Sequence, residues 1–221
     1  MNPGAPNRRT VLTVLGLGLV GAGCGTDRPS TSSPHRDSAT PGCVLTPQGT
    51  EGPYYVDTDL VRRDISENKP GIPLTLRVTV VDASSCRPLP AATVDIWHAD
   101  ADGTYSGIID DSHFLRGIQS TNGTGTATFS TIFPGWYDNR TAHIHLKVHV
   151  GGREIHTGQL YFDDDLTATI AARAPYSHRT EPRTHNNQDF LFRRGADHAL
   201  LAVTGSLDSG YQADITVGVT V

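Results

Sequence analysis

The 221-residue sequence predicts an all-β protein with a single β-sandwich domain, long loops and one short helix. Three observations indicate this fold. Short apolar runs with a two-residue period recur along the chain, turns rich in Gly and Pro separate these runs, and only one segment has a persuasive helical pattern. Since no internal repeat and no second domain are detectable, residues 43–221 are predicted to form one catalytic domain.

The predicted strands follow one another from residue 74 onward. The clearest covers 74–80, where Leu74, Leu76, Val78 and Val80 alternate with polar residues and share one face. Further strands are predicted at 93–97, 126–131, 143–150, 159–162, 199–203 and 213–219, separated by Gly and Pro turns. The helix is predicted at 166–173, after aspartates that suit a helix N-terminus.

The first 24 residues are predicted to be an export signal. Arg8 and Arg9 precede an apolar run at 11–22, which is shorter than the about 20 residues of a membrane span. The paired arginines resemble a twin-arginine signal, and a general secretory signal remains the alternative. Gly21-Ala-Gly-Cys24 resembles a lipoprotein cleavage site and predicts lipidation of Cys24, with free secretion as the alternative. The protein is therefore predicted to be extracellular or held in the cell envelope.

Composition restricts the partners and the redox state. Residues 25–42 are rich in Ser, Thr, Pro and Asp and are predicted to be a flexible linker. Without the two arginines of the signal, 16 basic and 23 acidic residues give a net charge of −7, which argues against nucleic acid as the main partner. Cys43 and Cys86 then remain, and an even count in an exported chain predicts a disulfide, with two buried free thiols as the alternative.

The strongest local signal for chemistry is His143-Ile-His145 on a predicted strand. Residues two apart on a strand project from the same face, so both imidazoles can reach one ion while Ile144 packs on the other side. The alternative is a solvated strand face that continues with Lys147 and His149.

Three motifs carry a family resemblance. Residues 134–145 read Pro-Gly-Trp-Tyr-Asp-Asn-Arg-Thr-Ala-His-Ile-His, residues 94–107 end a predicted strand in a loop that contains Tyr105, and residues 51–55 read Glu-Gly-Pro-Tyr-Tyr. Together they resemble the intradiol ring-cleavage dioxygenases, the family of the catechol and protocatechuate dioxygenases. The resemblance covers about residues 46–189. Only five residues separate Tyr137 from His143, fewer than in the cytoplasmic members of that family.

The resemblance implies one non-haem iron(III) ion and a reaction in which O2 opens a catechol ring between its hydroxyl-bearing carbons, giving a muconate-type dicarboxylic acid. It implies Tyr105, Tyr137, His143 and His145 as metal ligands. It also implies Tyr137, the ligand that departs, Arg140 and Gln159 as catalytic residues, with Arg140 in contact with the substrate as well. Tyr54 and Tyr55 are predicted to bind the substrate as part of its cleft, with a structural aromatic clamp as the alternative.

The residue types suit this chemistry. Two phenolates and a hydroxide neutralise iron(III), and a bound cation lowers the pKa of each phenol far below its usual value near 10. A catechol can then bind as a dianion if one tyrosinate and the hydroxide each carry off a substrate proton. Arg140 would stabilise developing negative charge, and Gln159 would be a hydrogen-bond partner near the metal.

Two other functions remain as alternatives. A cupin-type oxygenase also uses His-x-His, but it requires a glutamate four or five residues later, where this chain has His149 and Val150. A non-catalytic exported β-sandwich binding module would make the histidines incidental. Trp97 is interpreted as core packing or as a pocket wall. The sequence leaves the particular catechol and the oligomeric state open.

Overall fold

The computed structural model describes Cys43 and residues 45–221. The predicted export signal, the linker and Cys24 lie outside these described residues. Within them, the predicted all-β sandwich is confirmed, with one α-helix and several short 3-10 helices. The elements are β1 (Pro73–Asp82), β2 (Thr93–Trp97), β3 (Arg116–Ser120), β4 (Thr126–Ile132), β5 (His143–Val150), β6 (Arg153–Tyr161), α1 (Asp164–Ala171), β7 (Ala202–Ser206) and β8 (Gly210–Val219).

The strands form two four-stranded sheets. One sheet has the order β4-β1-β8-β7 and the other the order β3-β2-β5-β6. Every pairing is antiparallel except that of β1 with β8. The four apolar residues predicted to share one face of β1 are all buried in the core, where Phe129, Ile144 and Val217 are also found. The two-residue period of β1 therefore predicted its core face correctly.

The second sheet buries side chains on both faces. On β5, Ile144, Leu146 and Val148 belong to the hydrophobic core. Because the side chains of a strand alternate, His143, His145 and Lys147 lie on the opposite face, and they too are buried. Loops cover this outer face: a Cβ built on Gly52 would lie 3.4 Å from Cε1 of His145.

Strand β3 is not predicted from the sequence. Its sequence, Arg-Gly-Ile-Gln-Ser, has no apolar alternation, and its second residue is a glycine. A Cβ at Gly117 would lie 2.5 Å from Cγ2 of Ile65, so the segment above the strand needs this glycine. The Arg116 side chain is buried and donates to the carbonyl oxygens of Tyr54 (2.8 Å) and Ser106 (2.6 Å). Its polar partners come from loops that are distant in sequence, which no local pattern reveals.

Three other element boundaries differ from prediction. Strand β6 begins at Arg153, six residues before the predicted start, and β7 begins at Ala202 rather than at 199. Helix α1 begins at Asp164, because the Asp163 side chain accepts from the backbone N–H groups of Asp165 and Leu166 and caps the helix there.

Cys43 and Cys86 form a disulfide with a Cα–Cα distance of 5.3 Å. The bond joins the start of the domain to the loop between β1 and β2. Among the described residues, no helix is long and apolar enough to cross a membrane.

His156 is a buried histidine on β6. It is 2% exposed, and neither ring nitrogen has a hydrogen-bond partner among the described residues. Burial lowers its pKa from 6.5 to about 4. The unfolded chain therefore binds more protons than the folded chain between these values, and stability falls as the pH decreases through that window.

We expect His156→Leu to remove this part of the acid sensitivity. A shift of this size corresponds to about 2 kcal/mol of lost stability at pH 5. Urea unfolding at pH 8 and at pH 5 should show a smaller loss for His156→Leu than for the unchanged protein. His178→Leu, at an exposed position, is the control and should leave the loss unchanged. An identical pH dependence in all three proteins would contradict the prediction.

Candidate metal centre

Four predicted ligand atoms form a closed ring on the outer face of the second sheet. Oη of Tyr105 lies 3.1 Å from Oη of Tyr137, which lies 3.1 Å from Nε2 of His143. Nε2 of His143 lies 3.1 Å from Nε2 of His145, which lies 2.9 Å from Oη of Tyr105. The structure therefore brings together two phenols and two imidazoles from three separate segments.

A polar turn positions Tyr105. After β2, the Asp100 side chain accepts from the backbone N–H groups of Asp102 (3.0 Å) and Thr104 (2.9 Å). Gly103 has φ +80°, a conformation that side chains rarely adopt, and a Cβ there would lie 2.4 Å from the carbonyl oxygen of Trp136. This turn reverses the chain and directs Tyr105 back over the sheet.

A second tight turn positions Tyr137 just before β5. The N–H of Arg140 donates to the carbonyl oxygen of Tyr137 at 2.6 Å. Asp138 and Asn139, between them, have φ values of 39° and 61°, and these two residue types tolerate the left-handed region best after glycine. The short Tyr137 to His143 connection is thus a compact turn that leads directly into the strand. Tyr137 is partly exposed, whereas Tyr105 is buried.

The electrostatics of the four groups fit a bound cation. Without a bound ion, burial raises the pKa of the Tyr105 and Tyr137 phenols. Burial also lowers the pKa of the His143 and His145 imidazoles. Nδ1 of His143 lies 2.6 Å from the carbonyl oxygen of Thr141, which assigns the ring proton to Nδ1 and leaves a lone pair on Nε2. That lone pair faces Nε2 of His145 at 3.1 Å and the phenol oxygen of Tyr137 at 3.1 Å, where a positive ion could accept it.

The spacing of the donor atoms also fits. Ligand atoms about 2.0–2.2 Å from a metal and about 90° apart lie about 3 Å from each other. Among the described residues, no group of three or more His, Cys, Asp and Glu side chains could hold a metal ion. The histidine pair instead lies within hydrogen-bond distance of the two phenol oxygens.

Arg140 is held beside this ring by a buried carboxylate. Its Nε donates to Oδ2 of Asp189 at 2.8 Å, and its Nη2 donates to Oε1 of Gln159. Asp189 is 0% exposed and also accepts from the backbone N–H groups of Thr141 (3.0 Å) and Leu191 (2.8 Å). Burial alone raises the pKa of Asp189, but the Arg140 guanidinium and these N–H donors hold it below its usual range.

Gln159 connects Arg140 to the loop that covers the site. It lies opposite His145 in the β5–β6 pairing. Its Oε1 accepts from the Tyr161 hydroxyl at 2.9 Å as well as from Arg140, and its Nε2 donates to the carbonyl oxygen of Thr50 at 3.2 Å. The structure thus places both predicted catalytic residues next to the donor ring, linked to each other.

The two predicted substrate-binding tyrosines occupy different places. Tyr54 stacks on Tyr105 with ring centroids 4.5 Å apart and meets the edge of Tyr137 at 5.6 Å. Tyr55 instead donates to Oδ2 of Asp95 at 3.2 Å and lies under Nζ of Lys147 at 3.9 Å. Tyr54 therefore borders the donor ring, whereas Tyr55 contacts the polar side chains of Asp95 on β2 and Lys147 on β5.

Two contacts near the ring are not predicted from the sequence: that of Trp97 with His145 and that of Asp189 with Arg140. Trp97 stacks on His145 with centroids 4.8 Å apart and planes 12° apart, because β2 pairs Trp97 with His145. Asp189 arrives from the polar Asn-Asn-Gln-Asp segment at 186–189. The Trp97 contact would follow from the strand register, but no sequence pattern indicates that Asp189 pairs with Arg140.

Two cavities border this site. One, of about 270 Å³, is lined by Tyr54, Tyr105 and the apolar Ile108 and Ile109. The other, of about 290 Å³, lies between segments 47–50 and 191–199 and has Gln159 and Tyr161 in its wall.

Comparisons with known proteins identify the family of this chain. A family model described as "Dioxygenase" matches residues 50–141. A solved intradiol ring-cleavage dioxygenase from Tetranychus urticae is 34% identical, with a TM-score of 0.78, over 80% of this chain and 95% of that one. This chain belongs to the intradiol ring-cleavage dioxygenase family. The dioxygenase domain of a carbohydrate-binding fusion protein from Streptomyces sp. SirexAA-E is 32% identical, with a TM-score of 0.64, over 80% of this chain and 99% of that one.

Curated relatives within the intradiol family match over a shorter region. A chlorocatechol 1,2-dioxygenase of Cupriavidus pinatubonensis is 33% identical over 51% of this chain and 53% of the relative. A catechol 1,2-dioxygenase of Acinetobacter baylyi is 30% identical over 65% of this chain and 55% of the relative. The chain thus spans about half the length of the curated relatives it matches.

Proposed function

We propose that this intradiol family member is an iron(III)-dependent dioxygenase that opens the ring of a catechol between its two hydroxyl-bearing carbons. O2 is the co-substrate, and the product is a muconate-type dicarboxylic acid. The closed ring of Tyr105, Tyr137, His143 and His145 donors is the observation that carries the proposal. A binding module has no need for two phenols and two imidazoles converging at about 3 Å.

Iron(III) bound by these four residues would supply a Lewis acid that holds a catecholate and makes it reactive toward O2. The two tyrosines would have different roles in the reaction. Tyr105 is buried and stacked under Tyr54, so it is suited to stay in place. Tyr137 is partly exposed and lies on a turn, so its Oη is suited to move and to accept a proton from a catechol hydroxyl.

Arg140 would stabilise the negative charge that develops as the ring is attacked. Its guanidinium is preorganised by Asp189 and by Gln159, so little reorganisation is needed during the reaction. The amide of Gln159 is fixed at both ends and would keep Arg140 aimed at the substrate. Loop 49–52 covers the site through Thr50 and Gly52 and would limit the access of water.

Visible absorption tests the metal site. Tyrosinate coordinated to iron(III) absorbs visible light by charge transfer, so protein loaded with iron(III) should be red-brown and should consume O2 when given catechol. Tyr105→Phe and Tyr137→Phe should each change the band, because each removes one phenolate. His143→Ala should lose most of the bound iron, because a neutral donor that is already oriented by Thr141 disappears.

Tyr211→Phe is the matched control. Tyr211 lies on β8 of the other sheet, away from the donor ring, so its replacement should leave the band unchanged. A colourless protein that holds no iron after reconstitution would exclude the dioxygenase. If colour is present and neither Tyr105→Phe nor Tyr137→Phe alters it, the ligand assignment is wrong.

We also propose that the protein is exported, as the N-terminal 24 residues predict, with or without a lipid on Cys24. The Cys43–Cys86 disulfide supports an oxidising compartment, where such bonds persist. Fractionation of cells that express the full chain tests this: recovery of the protein only in the cytoplasm would overturn it.

A further inference from the structure

Arg116 is a buried arginine on the outer face of the second sheet, two strands away from His145. It lies opposite Trp97 in the β2–β3 pairing, and Trp97 lies opposite His145 in the β2–β5 pairing. Directly paired residues of neighbouring strands project from the same face, so Arg116 and the donor ring lie on one side of the sheet. The Arg116 side chain is 2% exposed, and no carboxylate among the described residues forms an ion pair with it.

An arginine at this position is unfavourable as a packing residue. Burial lowers the pKa of the Arg116 guanidinium, and its Nη1 has no hydrogen-bond partner within the described part of the chain. Taking a charge out of water without a counter-ion is costly, and an apolar side chain of similar length would fill the same space without that cost. The role of Arg116 therefore lies in the groups to which it donates.

The guanidinium joins the two segments that carry Tyr54 and Tyr105. Its Nη2 donates to the backbone carbonyl oxygens of Tyr54 at 2.8 Å and of Ser106 at 2.6 Å, and its Nε donates to Oγ of Ser106 at 3.0 Å. Ser106 is 1% exposed, and its hydroxyl donates to the carbonyl oxygen of Phe114 at 2.6 Å. One planar group thus holds the backbone of Tyr54 and of the residue that follows Tyr105.

The stacked rings of Tyr54 and Tyr105 depend on this connection. Their centroids are 4.5 Å apart and their planes differ by 17°. The Asp100 turn holds Tyr105 from its N-terminal side, whereas Arg116 holds the residue after it. The position of the Tyr105 ring sets where its Oη meets Nε2 of His145, at 2.9 Å. A displacement of either backbone segment would therefore move one of the four donor atoms.

We propose that Arg116 is a positioning residue of the metal centre: its fork of N–H donors holds Tyr54 against Tyr105 and so fixes the Tyr105 oxygen among the four donor atoms. The proposal rests on the proposed function, because it concerns a ligand of the iron(III) ion. Lysine keeps the positive charge but lacks the planar fork with which arginine reaches these three acceptors. The geometry of the side chain, and not its charge alone, is the property that the metal centre needs.

Arg116→Met tests the proposal, because methionine fills the space without donating a hydrogen bond. In metal-free protein, NMR of isotope-labelled tyrosine rings measures the ring-current shift that Tyr54 imposes on Tyr105, with the seven tyrosines assigned by Tyr→Phe variants. Arg116→Met should remove most of this shift, as Tyr54→Leu does. In iron-loaded protein it should move the visible tyrosinate band and weaken iron(III) binding by about tenfold in competition with a chelator.

Two further variants separate geometry from charge and from general destabilisation. Arg116→Lys should resemble Arg116→Met in the ring-current shift, the band and the iron affinity. Arg62→Met is the matched control, because Arg62 donates to the carbonyl oxygens of Arg116 (2.9 Å) and His113 (2.6 Å) but to neither Tyr54 nor Ser106. It should leave the shift and the band unchanged and the iron affinity within about twofold.

An unchanged ring-current shift and an unchanged band in folded Arg116→Met would overturn the proposal, as would equal changes in Arg62→Met. If Arg116→Met does not fold, Arg116→Lys decides, because a shift and a band like those of the unchanged protein would assign the effect to charge and reject the fork. If the unchanged protein binds no iron(III), the proposed function fails. The ring-current shift in metal-free protein then still tests whether Arg116 holds Tyr54 against Tyr105.

Discussion

Replacing Asp189 with alanine should lower the free energy of unfolding by about 3–5 kcal/mol, the range for breaking a buried ion pair by removing one partner. Asp189 is fully buried, and its loss leaves the Arg140 guanidinium without its carboxylate. The backbone N–H groups of Thr141 and Leu191 also lose their acceptor. Urea unfolding measures the stability, and kcat measures the second expected effect, since Arg140 would no longer be aimed at the reacting ring.

Two matched variants separate charge from packing. Asp189→Asn keeps the shape and an acceptor oxygen but removes the charge, so it should cost less stability than Asp189→Ala while still reducing kcat. Asp214→Ala removes one partner of the ion pair with Arg77, whose side chains are 39% and 47% exposed, and should cost no more than about 1 kcal/mol. If Asp189→Ala were no more destabilising than Asp214→Ala, the buried pair would not hold Arg140 as described.

The fold was predictable where local pattern and burial coincide. Strand β1 has one clean apolar face, and that face is the core face. Strand β3 was not predictable, because Gly117 is required by its approach to Ile65 and the buried Arg116 donates to loop carbonyl oxygens. The sequence pattern predicts which apolar residues are buried. It does not predict where two backbone segments come close together or where buried polar groups pair.

In the candidate metal centre, too, some residues were predictable from the sequence and others were not. The histidine pair followed from strand geometry alone, but the choice of Tyr105 and Tyr137 among seven tyrosines depended on the family resemblance. The roles of Asp189 and Trp97 depend on tertiary contacts: Asp189 reaches Arg140 across 49 positions of sequence, and Trp97 meets His145 only in the observed register. The residues that hold His145 and Arg140 in place are therefore identified by tertiary contacts and not by a local sequence pattern.

Trp97 compensates for a missing contact of His145. Metal-binding histidines usually donate their second ring N–H to an acceptor, and Nδ1 of His143 has such an acceptor in the carbonyl oxygen of Thr141. Nδ1 of His145 is buried and has no hydrogen-bond partner among the described residues. The indole of Trp97, stacked almost parallel to the imidazole, is instead the contact that fixes the orientation of the ring. His145 is thus oriented by packing, and His143 by hydrogen bonding.

We therefore expect Trp97→Ala to weaken iron(III) binding by about 10–100-fold, the range for losing a contact that orients a ligand. It should also cost about 3–5 kcal/mol of stability through the cavity it leaves. Trp97→Phe keeps a ring against His145 and should retain most of the affinity. Competition with a chelator measures the affinity, and the visible band reports the ligand set.

Phe129→Ala distinguishes orientation from general destabilisation. Phe129 is fully buried on β4 in the other sheet, so its loss creates a comparable cavity far from His145. It should reduce stability without changing iron(III) affinity in the folded protein. Equal affinities for Trp97→Ala and Phe129→Ala would mean that His145 holds its orientation without the indole. A weaker Trp97→Ala site, restored by phenylalanine, would show that a stacked ring can replace the second hydrogen bond of a metal-binding histidine.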